Sequence, residues 1–500
     1  MTLSTNASAI PNPATDFEWS VENDAVTLDK FLPENTTSVV VPAEIDGRPV
    51  VKIGVRAFKS QTSLTQVVLP TTLREIGDSA FSGCEALSQI VWSQALEQIG
   101  NRAFAGCSAL TQIALPDGVK SIGETAFSRC AALTQVVLPP SVAAIADGAF
   151  SRCDSLTQID LPASLEELAE TAFFSCRSLT ALRVAPQNPS FRDFEGVLLS
   201  SDGKTLLRCP EGKTGEFVVP KSVKTIGDEA FFRCSRLTQI VLPDGLEKIG
   251  DAAFSQCSAL TQLEIPSKVK KLGVDAFLGC SSLTQLVIPS KIKAIPDRAF
   301  YRCSSLERIE LPESVEKIGR HAFGGCLSLT QLELPPNVKS LGDRAFTGCQ
   351  ALRRVAFPER IDKIPEYAFF HCADLAEIVF SPNVKEIKIG AFYGCLSLSQ
   401  LELPKGLTKI GEVAFDDCSS LSQVVFPDGL EKICNWAFGS DAALQEITLP
   451  DSVKWFGRRP FPRSTTCRAC PEVARKFANA QKPDWWEEME AKAKTATPEN

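Results

Sequence analysis

LTQVVLPTTLREIGDSAFSGCEA, residues 64–86, is the stretch from which the fold can be read. Its apolar residues Leu64, Val67 and Leu69 are spaced so that Val67 and Leu69 point to one side of a short strand. Pro70 ends that strand, because proline has no N–H to give a ladder. Leu73 and Ile76 form a second inward pair, and Gly77 is expected to permit a sharp corner after them. Ala80 and Phe81 close the unit, the small residue making room beside the large ring. One such unit cannot bury these groups by itself. Stacked units bury them as continuous columns, at about 1.5–3 kcal/mol for each large side chain.

The stack is written along the chain. Phe58, Phe81, Phe104, Phe127, Phe150 and Phe173 follow one another every 23 residues. A second run at the same step goes Phe231, Phe254, Phe277, Phe300, Phe323, Phe346, Phe369, Phe392, Phe415 and Phe438, and ends at Phe461 in the degenerate GRRPF. Self-similarity at this length marks a stacked repeat array, here of about seventeen coils. Composition agrees: 44% of residues are apolar and 22% charged, as in an ordinary soluble protein. The net charge of −8 offers no overall basic field for nucleic acid or an anionic membrane.

The repeat also accounts for an unusual 18 cysteines. Cys84, Cys107, Cys130, Cys153 and Cys176 each follow the repeat Phe by three residues, as do the cysteines from Cys234 to Cys418. Equivalent side chains of stacked coils point the same way, whereas a disulfide needs Cβ atoms that face each other. The column is expected to be buried reduced thiols, small hydrophobes with a weak donor for turn carbonyls. Reduced thiols on this scale favour an intracellular setting.

With Leu, Pro, Ile-Gly, Ala-Phe and Cys at these positions, as in LTQIALPDGVKSIGETAFSRCAA from Leu110, the unit resembles the BspA-like leucine-rich repeat over roughly residues 36–463. The resemblance implies a leucine-rich-repeat solenoid, a curved array with a parallel β-sheet on its concave face. It also implies a binding role, since members of that family are often surface proteins that engage host or matrix proteins.

Between Phe173 and Phe231 the spacing holds 35 extra residues, 58 less 23. Val197 to Leu199 and Thr205 to Leu207 read as strands around a tight turn at Asp202-Gly203. The insertion is expected to decorate one edge or to grip a partner. Residues 17–30 read as a hairpin turning at Asn23-Asp24 that covers the first coil. TTCRACPEVARKFANA suggests a last strand, then a helix from Pro471 or Glu472 with Val473 and Phe477 facing the core. The expected organisation is a disordered leader over 1–16, a hairpin cap over 17–35 and leucine-rich repeats over 36–185. A β-hairpin island over 186–217, repeats over 218–463, a strand and helix cap over 464–481 and a flexible tail over 482–500 complete it. Trp485 and Trp486 in that tail are expected to dock on the cap or to form a partner motif.

Chemistry is poorly represented. Cys467-x-x-Cys470 lacks two further ligands for zinc and a βαβ context for redox work. His321 and His371 fall at different phases of the repeat and read as turn residues. No nucleotide or hydrolase motif occurs. The expectation is no enzyme, no cofactor and no metal.

What remains is the outward face of the strands. Gln66, Gln89, Gln112 and their successors form one column, expected to bond along the stack as an amide ladder at about 4.8 Å spacing. A second column is mostly valine: Val68, Val91, Val137, Val241, Val287. Arg308, Glu310, Glu333, Arg354 and Glu377 break both columns on successive coils. Charges of both signs on an otherwise neutral sheet are candidates for contact with a protein partner; drift on a tolerant surface explains the same observation. The leading reading is a monomeric, non-catalytic protein-binding scaffold that uses the concave sheet as its platform, without nucleic acid or membrane insertion. The N-terminal MTLSTNASAIPNPATDF has no Lys, Arg or apolar core to read as a secretory signal. The expected location is therefore the cytoplasm; the alternative is an adhesin on the surface or secreted by another route.

Overall fold

The computed structural model describes residues 10–482. It is a β-solenoid of about 19 turns whose regular elements are nearly all short strands, with one short α-helix. Contacts group the chain into two compact units: Met1–Gly215 with Ala230–Arg236, and Glu216–Glu229 with Leu237–Asn500. Among the described residues no helix is long and apolar enough to cross a membrane.

Each coil contributes three sides. The first is a strand of about three residues, such as Gln66–Val68, in parallel register with Gln89–Val91 one repeat later. The second is a two-residue strand, such as Glu75–Ile76, paired with Gln98–Ile99. The third side has no strand but is hydrogen-bonded between coils as well. The N–H groups of Arg56, Phe58 and Ser60 donate to the carbonyls of Asp78, Ala80 and Ser82 on the next coil. Those bonds are possible because residues two before and two after the repeat Phe adopt a left-handed backbone, as Arg56 (φ 60°) and Ser60 (φ 62°) do. Such a conformation costs a non-glycine residue roughly 1–2 kcal/mol, and the ladder it permits recurs along both units, interrupted at the coil of Phe173 before the insertion.

This placement corrects the role expected for Gly77. Its φ is not positive, and the sharp corners fall beside the Phe instead. A Cβ on Gly77 would lie 2.9 Å from the Ile53 carbonyl oxygen and 3.1 Å from Gly54 of the preceding coil. Glycine is needed there for close stacking.

The core consists of the expected columns. Phe58, Phe81, Phe104, Phe127 and Phe150 are fully buried, with neighbouring rings stacked 4.8–5.5 Å apart. The same offset stacking runs from Phe254 to Phe461 in the second unit. All 18 cysteines are free. The Cys84 thiol donates to the Phe58 carbonyl at 3.1 Å, and Cys303 donates to Phe277 at 3.1 Å, in a pattern that repeats along both units. Burial pushes the thiols up, to about 12 for Cys84 and Cys349. The column is closed to solvent as well as held in the unreactive thiol form, so a thiol-reactive dye should label the native protein only at the partly accessible Cys434, Cys467 and Cys470. Eighteen thiols should react after denaturation. Fast native labelling of Cys303 would contradict a closed column.

Both ends are covered. Phe17–Glu22 and Ala25–Phe31 form an antiparallel hairpin whose turn residues Asn23 (φ 51°) and Asp24 (φ 59°) are both left-handed. Phe31 stacks on Phe58 at 5.1 Å, extending the ring column into the cap. At the other end, the helix Pro471–Ala480 buries Val473 and Phe477, and Phe477 lies 5.7 Å from Phe461. The Arg459 N–H, left without a following coil, donates to the helix carbonyl of Ala480. Residues 1–9 and the tail tryptophans Trp485 and Trp486 lie outside the described residues.

The insertion forms a three-stranded antiparallel meander, Phe191–Phe194, Val197–Ser200 and Thr205–Arg208. Val197, Leu198, Leu199 and Leu206 are buried, so it extends the core. Cys209 takes the place that Phe holds elsewhere, its N–H donating to Ala230 as Phe58 donates to Ala80. Glu211 ties the segment down by accepting the Ser175 N–H at 2.7 Å. Burial holds that carboxyl above the ordinary carboxylate range.

Candidate functional site

Strand alternation exposes two columns of the first ladder and buries the residue between them, as in the exposed–buried–exposed pattern of Arg308–Glu310. The exposed columns are those the sequence marked. The glutamines are not joined as an amide ladder: among the described residues no hydrogen bond links one of these amides to the next. A threonine column one residue earlier makes the contacts between coils, Thr65 donating to the Thr37 carbonyl and Thr134 to Thr111. A hydroxyl close to the backbone reaches that carbonyl with little loss of side-chain entropy, whereas a glutamine gives up several rotatable bonds. The valine column is open to solvent, with Val287 and Val425 each 62% exposed.

Arg308, Glu310, Glu333, Arg354 and Glu377 all lie on this face and are all exposed. They occupy four successive coils of the second unit, spanning about 14 Å at strand spacing. The structure brings four of them into pairs. Arg308 meets Glu310 at 2.8 Å on its own strand, and Arg354 meets Glu377 at 3.0 Å across adjacent coils. Glu333 has no ion pair among the described residues, and its coil joins the ladder by a single bridge from Arg308 to Gln331. Exposed pairs contribute about 0–1 kcal/mol, so a partner can exchange them at little cost. Glu307 and Arg353 stand beside them where other coils carry threonine. That departure was available in the sequence and extends the charged patch by a third column. Toward the N-terminal side of this unit, a groove of about 460 Å³ opens over Gln239, Val241, Gln262 and Glu264.

The BspA-type leucine-rich-repeat region model matches residues 51–182, 211–308, 293–421 and 385–470. The chain belongs to that family. Among solved structures, this BspA-type array is similar to a leucine-rich cell surface protein from Faecalibacterium prausnitzii, with 26% identity and a TM-score of 0.49. That alignment covers 75% of this chain and 95% of the other. A leucine-rich repeat protein from Bacteroides ovatus is also 26% identical over 91% and 98%, with a TM-score of 0.43. The pneumococcal vaccine antigen PcpA is 21% identical over 84% and 98%, with a TM-score of 0.47. Membership rests on the matched repeats. No curated protein matches the sequence.

The BspA-type array carries one more surface that sequence reasoning passed over. All three tyrosines and both histidines of the chain lie on the third side of the second unit, between Tyr301 and Tyr393. Tyr301, Tyr367 and His371 each lie over the glycine one repeat later. A Cβ on Gly324 would fall 2.9 Å from the Tyr301 ring, one on Gly390 2.5 Å from Tyr367, and one on Gly394 2.5 Å from His371. Arg302 and Arg344 sit over Tyr301 and Tyr367, at 5.3 and 4.8 Å from the ring centroids. His321 and His371 are thus turn residues, both left-handed. Burial, then the charges of Arg344, Arg320 and Arg298, hold the His321 pKa below its usual value. Cys467 lies in the last strand and Cys470 caps the terminal helix. Among the described residues no group of three or more His, Cys, Asp or Glu is placed to hold a metal ion.

Proposed function

We propose that this chain is a non-catalytic scaffold that captures a protein partner on the outer face of the first ladder, over the coils of Arg308 to Glu377. One observation carries the reading: charged side chains of both signs stand in the Gln and Val columns on four successive coils, all of them exposed, where elsewhere charges such as Asp160 and Glu264 interrupt those columns over shorter runs. A rigid ladder presents them in fixed register, which favours a partner of complementary charge and disfavours others. The exposed valines beside them supply apolar contact area.

The test is double charge reversal, Arg308→Glu with Arg354→Glu, in the full chain. The fold is expected to survive, since each lost pair contributes at most about 1 kcal/mol. Capture of the partner that wild type retains from the source organism's extract should fall by at least about tenfold. Equal retention by both proteins would remove this face from consideration.

We place the scaffold in the cytoplasm on the strength of its unpaired thiols. Intact native cells treated with a membrane-impermeant label should leave it untagged. Tagging, with a cytosolic control unlabelled, would move the reading to an adhesin.

A further inference from the structure

At several places the second ladder of the second unit pairs opposite charges from coil to coil, although Lys409 stands opposite Lys432. Lys339 meets Glu316 at 2.5 Å, Lys409 meets Glu386 at 2.6 Å and Lys454 meets Glu431 at 2.6 Å, each one repeat apart. Three consecutive coils carry an excess of lysine. Over residues 243–249, 266–272 and 289–295 the ladder and the turn leading into it carry Lys248, Lys268, Lys270, Lys271, Lys291 and Lys293, against only Asp244 and Glu247. All six lysines are exposed.

Their register stacks like on like. Lys248 bridges directly to Lys271, while Lys270 precedes Lys293, and Lys268 precedes Lys291, by one repeat. Lys270 alone of the six has a carboxylate in ion-pair range, Glu247 at 3.6 Å. The acid on the far side of Lys293, Glu316, is engaged by Lys339. Like charges directly opposite on a sheet are destabilising. Elsewhere the Lys270/Lys293 column holds Glu316 and Glu431, whereas the Lys248/Lys271 column holds Lys317, Lys363, Lys409 and Lys432 beside Glu386. An anion lying between these lysines would lower the like-charge repulsion.

We propose that this lysine strip is a docking site for an acidic polypeptide segment, one whose Asp and Glu carboxylates insert between the stacked ammonium groups. The proposal rests on the reading of the chain as a protein-binding array but uses a different face. Two intervals between strands make the strip about 10 Å wide, which some four to six extended residues cross diagonally. The chemistry selects against other anions. No aromatic ring lies on these stretches to stack a nucleobase. No arginine is present to grip phosphate bidentately.

A fluorescent peptide of eight glutamates is the probe, titrated into the full chain at low salt and again at physiological salt. Wild type is compared with the triple variant Lys268→Glu, Lys271→Glu, Lys291→Glu. The control, Lys120→Glu, Lys385→Glu, Lys405→Glu, changes net charge equally at exposed lysines elsewhere. The triple variant should bind at least about tenfold more weakly and the control within about twofold, with wild-type affinity falling as salt rises. Lys271→Glu alone should raise the melting temperature while weakening the peptide, because it ends the repulsion with Lys248. Equal loss in the triple variant and the control would overturn the proposal. So would tighter binding, through the same lysines, of oligothymidylate or dextran sulfate than of the peptide. Arg308→Glu with Arg354→Glu should bind the peptide as wild type does, so failure here leaves the first-ladder reading standing.

Discussion

Phe300→Ala is expected to destabilise the second unit by about 3–5 kcal/mol, the range for emptying a buried aromatic site. Phe300 has no exposed surface, and its ring stacks on Phe277 and Phe323 at 5.3 Å on either side. The void cannot close easily. The neighbouring rings are held in register by the backbone bonds from Phe277 to Ala299 and from Phe300 to Ala322. Stability in a stacked array is largely a sum of nearest-neighbour terms. Denaturant unfolding followed by circular dichroism should therefore show early loss of the coils around residue 300, ahead of more distant ones. A change below about 1 kcal/mol would mean that the ring column is not the main source of cohesion.

The second large effect concerns Asp441, which stands where the cysteine column would next place a thiol, 23 residues after Cys418. It is fully buried; its Oδ1 accepts the Cys418 N–H at 2.8 Å, and its Oδ2 has no partner. Burial pushes the carboxyl up to about 9, and the charges of Asp416 and Asp417 push the same way, while the Cys418 amide opposes them. The folded chain therefore holds a proton that the unfolded chain releases near the ordinary Asp value of about 3.9. The stability this group contributes is present in full below about pH 4 and is lost as pH rises through about 9. At pH 7 the loss is on the order of 4 kcal/mol, from about 1.4 kcal/mol for each pH unit above the unfolded value. Asp441→Asn removes the titration. The variant should be more stable than wild type at neutral pH, by a margin that widens from pH 5 to pH 8. A margin that stays constant across that range would show that the carboxyl is not protonated in the fold.

Asp441 also shows how far the repeat can be read. The period locates it in the cysteine column, but the meaning of an acid there depends on whether water reaches it, which is decided by coils on both sides. The same division runs through the molecule. The Phe and Cys columns, the Asn23-Asp24 turn and the helix bearing Val473 and Phe477 were legible, because each depends on spacing within one short stretch and on apolar groups that must be buried. The charged residues Arg308, Glu310, Glu333, Arg354 and Glu377 were legible as departures from a pattern, but their pairing was not.

Tertiary structure decided which residues meet one repeat apart. It put Arg354 against Glu377 and Lys248 against Lys271, laid Tyr301 over Gly324, and gave Gly77 a role in close stacking. It replaced the expected amide ladder with threonine hydroxyls on carbonyls. It also drew the 35-residue insertion into the core through Leu198 and Leu206. The physical reason is common to all of these. Burial of an apolar side chain is non-directional and follows periodicity alone, so a single repeat announces it. Ion pairs, ring contacts and steric limits act over a few ångströms between specific atoms, and those atoms become neighbours only when stacking brings residues 23 apart in sequence to strand spacing.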